Sequence, residues 1–303
     1  MDAADPIPTP PPRLTEAEVH ALAESALSSR VTGLSPLAGS VGNQNFRLDG
    51  PGGPWAIKLG PAAEVAAEAW ATGAVGAAGV AVPRIVADGA LPERRRFLIT
   101  AWLDGRPIRA GDRAALHRTG RTLRVLHGLG GPGYGPVDVV PDGSARGRRD
   151  GWAEALADLL AGLSDLVRHG LLTAGEADRV RHAVADHGGL TGYSGPGVLL
   201  HGDLKPAHLF VAGDALAAII DWGDPWIGDP RWDLARLSMA GAGIFRPVLA
   251  GYGLDLDAEL GRTLALYRAI WRVGSLHYEL MAGGDWFDAY RRPLLAWAAG
   301  GSG

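Results

Sequence analysis

The 303-residue chain has no cysteine, only two lysines, and no apolar run long enough to cross a bilayer. The missing cysteine excludes a disulfide framework, a thiolate metal site and a cysteine nucleophile. The N-terminus has no basic segment followed by an apolar core, so neither export nor membrane insertion is indicated, and a cytoplasmic location is the expectation. Net charge is −4 and no third of the chain is strongly basic, which speaks against nucleic acid as a partner.

The scarcity of lysine is itself informative. Twenty-seven arginines supply the remaining cations, so the two surviving lysines mark places that need a compact ammonium rather than a planar fork. They are Lys58, in the apolar run Trp55-Ala-Ile-Lys-Leu59, and Lys205, in His201-Gly-Asp-Leu-Lys-Pro-Ala-His208. Gly 45 and Pro 21, with alanine-rich helices and arginine for lysine, read as a biased genomic composition.

Residues 1–12, with proline at 6, 8, 10, 11 and 12, read as a disordered lead-in. Thr15 and Glu18 form a capping box that opens a helix to about Ser29. Short runs at Leu34–Ala38, Asn45–Leu48 and Trp55–Leu59, separated by glycine-rich turns, predict an antiparallel meander. A helix is expected from Ala62 to about Ala78, then strands at Arg84–Ala87 and Arg96–Ala101, with Arg94–Arg96 on a solvated hairpin. Beyond Asp112 helical periodicity dominates: Asp112–His127, Asp150–His169, Ala174–His187, Arg231–Met239, Asp257–Ala282 and Trp286–Ala298. Strand-like runs at Val198–Leu200 and Ala217–Ile220 interrupt it. The pattern implies an α+β chain of two lobes: a β-rich N-terminal lobe over 13–102 and a mainly helical C-terminal lobe over 103–303.

The chemistry concentrates between His201 and Asp233. His201-Gly-Asp203 follows one apolar run, and Asp221 ends the next, in Ala-Ala-Ile-Ile-Asp-Trp-Gly. Phosphoryl transfer needs a base near the acceptor hydroxyl, a divalent cation on the phosphates and a cation on the nucleotide. Asp203, Asp221 and Lys58 can fill those roles. Leu37-Ala-Gly-Ser-Val-Gly-Asn-Gln-Asn-Phe46 puts Gly39, Gly42 and Asn43 in a strand-to-strand turn whose backbone amides can approach a phosphate. Lys58 in an apolar strand requires an anion, and the following helix offers Glu68, with Glu64 one turn earlier as the rival. His201 reads as a buried ring bracing the loop rather than a proton carrier.

In this order the landmarks resemble the aminoglycoside phosphotransferase family, small-molecule kinases with a two-lobed protein-kinase-like fold. The resemblance rests on Gly39 to Phe46, Lys58, Glu68 with Val82-Pro83, Ile99-Thr-Ala-Trp102, His201-Gly-Asp203 and Ile220-Asp-Trp-Gly-Asp-Pro through Gly228-Asp-Pro-Arg-Trp-Asp-Leu234. It implies ATP or GTP as phosphoryl donor with Mg2+, Asp203 as base, Lys205 on the transferred phosphate, Asp221 as magnesium ligand and Asp233 bracing the loop. Thr100, Ala101 and Trp102 would meet the nucleotide. His208 stands where most kinases carry a metal-binding asparagine, as in macrolide phosphotransferases. It either approaches the metal or bonds the base or a phosphate.

The short stretch from Asp221 to Asp233 leaves no room for a peptide-holding activation segment, so the acceptor is expected to be a small molecule. The last third is only weakly acidic, which suits a polycationic aminoglycoside poorly. A macrolide, nucleoside or peptide antibiotic fits as well, and a sugar or amino alcohol is the metabolite alternative. A metal-dependent hydrolase built on His201, Asp203, His208 and Asp221 is the competing class. Whether the chain is a monomer or a dimer stays open.

Overall fold

The structure, a computed structural model, describes residues 13–37, 42–140 and 142–301. The expected lead-in at 1–12 and Gly39 lie outside these residues.

Helix α1 (Glu16–Leu27) begins at the anticipated capping box, in which Thr15 Oγ1 accepts from the Glu18 amide and the Glu18 carboxylate accepts from the Thr15 amide. A cap of this kind contributes about 1 kcal/mol. The helix ends at Ser28, whose φ of 47° turns the chain out of the helix. Next come β1 (Gly33–Leu37), β2 (Gln44–Asp49), β3 (Trp55–Pro61), α2 (Ala62–Ala77), β4 (Ile85–Leu91) and β5 (Arg95–Ala101). The five strands form one antiparallel sheet in the order β1-β2-β3-β5-β4. Side chains alternate across a strand, so Phe46, Leu48, Trp55, Ile57 and Leu59 share the buried face with Val19 and Ala23 of α1. Lys58, between Ile57 and Leu59, is thereby turned to the opposite face.

The arginine hairpin differs from the sequence expectation. Glu93 and Arg94 make the turn with φ of 57° and 56°, but Arg95 is buried and donates to Gln44 Oε1 at 2.8 Å. In β5 it shares the alternation of Phe97 and Ile99, and a guanidinium is tolerated there because Gln44 receives it.

The C-terminal part contains β6 (Arg106–Pro107), α3 (Arg113–Leu126), β7 (Tyr134–Val139), β8 (Ala145–Arg149), α4 (Trp152–Arg168) and α5 (Ala174–Ala185). It continues with β9 (Val198–Leu200), β10 (Leu209–Ala212), β11 (Ala215–Ile219), β12 (Trp226–Gly228), α6 (Arg231–Ser238), α7 (Ala242–Tyr252), α8 (Ala258–Ala282) and α9 (Phe287–Ala298). The expected helices are present with shifted ends. Strands β6, β7, β8, β10 and β12 were not foreseen, being short or broken by glycine and proline, and α7 was hidden by its internal Pro247. These strands build two small sheets, β11-β10-β6 and β8-β7-β12-β9. Their importance is positional: β9 ends immediately before His201, and the β10–β11 hairpin spans the chain from His208 to Asp221.

Two cores support this arrangement. The smaller lies between α1 and the five-stranded sheet. The larger is built around Trp152, Trp222 and Tyr267, and it also takes in Ala71 and Val75 of α2. Helix α2 therefore packs its apolar side into the C-terminal core while carrying Glu68 beneath the sheet.

Candidate active site

The fully buried Val198-Leu-Leu200 of β9 fixes where the next residues emerge. Gly202 has φ 82°, and a Cβ there would lie 1.8 Å from the Asp224 carbonyl oxygen, so only glycine fits this turn. Asp233, wholly buried in the first turn of α6, accepts the amides of His201 at 2.8 Å and Gly202 at 2.9 Å. It also accepts from His127 Nε2 at 3.2 Å, while His127 Nδ1 receives the Tyr252 hydroxyl at 2.9 Å. His201 donates Nε2–H to the Ile220 carbonyl at 2.9 Å and lies between the rings of His208 and Trp222. Burial and then the neighbouring His208 push its pKa down, so the ring is a neutral tie between loop and strand.

That tie holds two carboxylates at one cleft of about 520 Å³. Asp221 sits in the left-handed region with φ 62°. Its Oδ1 is 2.9 Å from Lys58 Nζ, and its Oδ2 is 3.2 Å from His208 Nε2. Lys58 reaches Glu68 Oε2 at 2.7 Å, and no ion pair to Glu64 forms. The ammonium is thus clamped between α2 and the end of β11. Burial disfavours its charge, but Glu68 and then Asp221 outweigh burial, and its pKa is raised. Burial pushes the Glu68 carboxyl up against the pull of Lys58. Asp221 is half-exposed and beside both Lys58 and His208; these outweigh burial and hold it well below the usual carboxylate range.

Asp203 faces the same cleft with both oxygens engaged: Oδ2 takes Lys205 Nζ at 2.6 Å and Oδ1 takes Arg236 Nε at 2.7 Å. Burial opposes its ionisation, yet Arg236 and then Lys205 prevail and lower its pKa. A carboxylate held this way is a weak base and a well-oriented acceptor for a hydroxyl proton, which suits a transfer that depends more on positioning than on proton abstraction.

The remaining anticipated residues are spread differently. Asn43 is on the cleft wall, and Gly42 lies in the preceding turn, close to the Tyr278 hydroxyl. Thr100 and Ala101 end β5 and Trp102 follows it, and none of the three is on this wall. The Ala101 amide donates to the Arg84 carbonyl and the Trp102 amide to the Pro54 carbonyl, and the Arg47 guanidinium covers the Trp102 ring at 4.6 Å. Sequence reasoning missed Arg236, one arginine among many, and Asp224, although Asp224 lies inside the Ile220-Asp-Trp-Gly-Asp-Pro string. Asp224 opens on the cleft but is crowded by protein, and burial, then Asp203 and Asp221, push its carboxyl up to about 7.

A divalent cation can be tested against these groups. Asp221 and Asp224 offer the hard oxygen ligands that Mg2+ prefers, and Gly223 leaves the space beside Lys58 and Asp221 unfilled, a Cβ there lying 3.0 Å from Lys58 Nζ. Among the described residues no group of three or more histidines and carboxylates is arranged to hold a metal. That agrees with an ion held by one or two carboxylates and completed by phosphates and water.

A five-stranded antiparallel sheet carrying a paired lysine, above a helical lobe carrying H-x-D and a strand-ending aspartate, defines a kinase-like phosphotransferase class. The model of the APH phosphotransferase enzyme family matches residues 33–269, and the chain belongs to that family: it is a small-molecule kinase. No curated protein sequence matches the chain. A thermostable mutant of aminoglycoside phosphotransferase APH(4)-Ia, solved with AMP-PNP and hygromycin B, is 17% identical with a TM-score of 0.73, over 93% of this chain and 96% of that one. A choline/ethanolamine kinase family protein from Mesorhizobium loti is 23% identical with a TM-score of 0.69, over 94% and 93%. Among the described residues no helix is long and apolar enough to cross a membrane.

Proposed function

We propose that the chain transfers the terminal phosphoryl group of ATP or GTP to a hydroxyl of a small molecule, an antibiotic in the first place. The observation that carries this reading is the Lys58 ammonium held between Glu68 and Asp221 at 2.7 and 2.9 Å, with Asp203 across the same cleft. A lysine so fixed presents its remaining donor capacity to nucleotide phosphates. Asp221 would hold Mg2+, with His208 orienting its second oxygen. The ion, when bound, neutralises charge that develops on the phosphates.

In this reading Asp203 orients the acceptor hydroxyl and takes its proton. Lys205, 2.6 Å from Asp203, would reach the transferred phosphoryl group. The Gly42–Asn43 turn would cover the phosphates, and the chain segment of Thr100–Trp102 would edge the base. The enzyme would work in the cytoplasm, where its nucleotide is made. The test is magnesium-dependent ATP turnover in a screen of antibiotics and of sugars and amino alcohols, with the product checked by mass for one added phosphoryl group. Phosphorylation only of sugars or amino alcohols would make the chain a metabolite kinase, the second reading, which the choline/ethanolamine kinase relative favours. Turnover that requires a transition metal and no nucleotide would overturn both.

A further inference from the structure

The described wall of the cleft carries three cations, Lys58, Lys205 and Arg236, against five carboxylates. Lys58 is clamped by Glu68 and Asp221. The other two cations meet on one carboxylate: Lys205 Nζ lies 2.6 Å from Asp203 Oδ2, and Arg236 Nε lies 2.7 Å from Asp203 Oδ1. Two positive charges therefore stand against one negative charge at the group that would face the acceptor hydroxyl.

Arg236 is fixed in that place. It lies one turn after Asp233 in α6, so the helix that accepts the His201 and Gly202 amides also meets the loop at Asp203. Its side chain is 13% exposed, and its guanidinium lies 4.3 Å from the Trp271 ring centroid, a contact that holds a cation without neutralising it. Nε serves Asp203. Nη1 has only a 3.8 Å contact to Met239 Sδ, a weak acceptor, and among the described residues Nη2 has no hydrogen-bond partner. Most donors of the fork thus stay open beside Asp203, on the same cleft wall.

The charge balance of phosphoryl transfer gives these donors a use; this step rests on the phosphotransferase reading of the cleft. A bond forms between the acceptor oxygen and the terminal phosphorus. The bond from that phosphorus to the bridging oxygen breaks, its electron pair leaves with ADP, and the hydroxyl proton passes to Asp203. Asp203 then loses its charge, so the two cations beside it lose their counterion as a doubly charged phosphoryl group arrives on the neighbouring oxygen. We propose that Arg236 is a catalytic residue whose open guanidinium donors close on the oxygens of the phosphoryl group in flight, released by Asp203 as that carboxylate takes the proton. A planar fork matches two phosphoryl oxygens. A cation already fixed where charge develops lowers the barrier without reorganisation.

The test uses the full chain with magnesium ADP and aluminium fluoride, whose planar adduct imitates the phosphoryl group between donor and acceptor, so no acceptor has to be known. Calorimetry gives the dissociation constants of magnesium ADP alone and of the adduct. Arg236→Gln should leave magnesium ADP binding unchanged and weaken the adduct about tenfold, the value of one charge-assisted bond. The same loss should appear when Arg236→Gln is added to Asp203→Asn. The proposal is overturned if aluminium fluoride adds no affinity to the native protein, or if the adduct binds Arg236→Gln as tightly as the native chain. It is also overturned if the loss disappears in the Asp203→Asn background, because the arginine would then only position the carboxylate. Should Arg236→Gln not fold, Arg236→Lys, which keeps the charge and loses the fork, is read in the same way with an expected loss of about threefold. Native protein that fails to bind magnesium ADP overturns the kinase reading itself, a result distinct from every outcome at Arg236.

Discussion

Replacing Asp233 by asparagine changes one oxygen of a side chain that is wholly buried. In the native loop Oδ1 accepts the Gly202 amide, and Oδ2 accepts the His201 amide and His127 Nε2–H. Asparagine keeps one acceptor oxygen and turns an NH2 toward a group that also donates. One bond to a charged acceptor is lost and a buried donor is left unmet, and the two together cost about 3 kcal/mol. For a chain of this size that lowers the melting temperature by roughly 5 °C. Turnover should fall more than stability implies, because the His201 and Gly202 amides set the position of Asp203. The assay is scanning calorimetry for stability, with ATP turnover per folded molecule measured well below the transition. A variant that melts within a degree or two of the native chain and turns over normally would refute the bracing role assigned to Asp233.

Asp203→Asn should lower turnover by about 10²-fold or more with AMP-PNP affinity unchanged, as expected for a positioned general base; near-native turnover removes Asp203 from that role. Lys58→Ala should abolish transfer to every acceptor, and Lys58→Arg should also fail, because the planar guanidinium is bulkier than the compact ammonium held between Glu68 and Asp221; a change confined to acceptor preference would contradict the assignment. In the metal-free chain Asp224 binds its proton more tightly folded, near pH 7, than unfolded, near 3.8. Its contribution to stability is therefore complete at acid pH and is lost as pH rises through about 7, and Asp224→Asn should flatten this decline in melting temperature. An unchanged pH profile in that variant would rule Asp224 out as its source. His208 gives Nε2 to Asp221, so His208→Asn should reduce turnover while keeping the ratio of manganese- to magnesium-supported rates; a shift of the ratio toward magnesium would show the imidazole reaching the metal.

The sequence by itself determined the fold class, through strand alternation before Trp102 and helical periodicity after Asp112, and it singled out Lys58, Asp203 and Asp221 because their residue types and order are rare. It could also specify α1, since a capping box is a local interaction between Thr15 and Glu18. Only the tertiary structure decided which glutamate meets Lys58, because Glu64 and Glu68 lie one turn apart on α2 and nothing local separates them. Only the fold could place Arg236 on Asp203, bury Arg95 against Gln44, and pair β12 with β9, since those partners are far apart in the chain. Local hydrogen bonds and periodicity are written in neighbouring residues, whereas the charge environment of a cleft depends on which distant elements pack together.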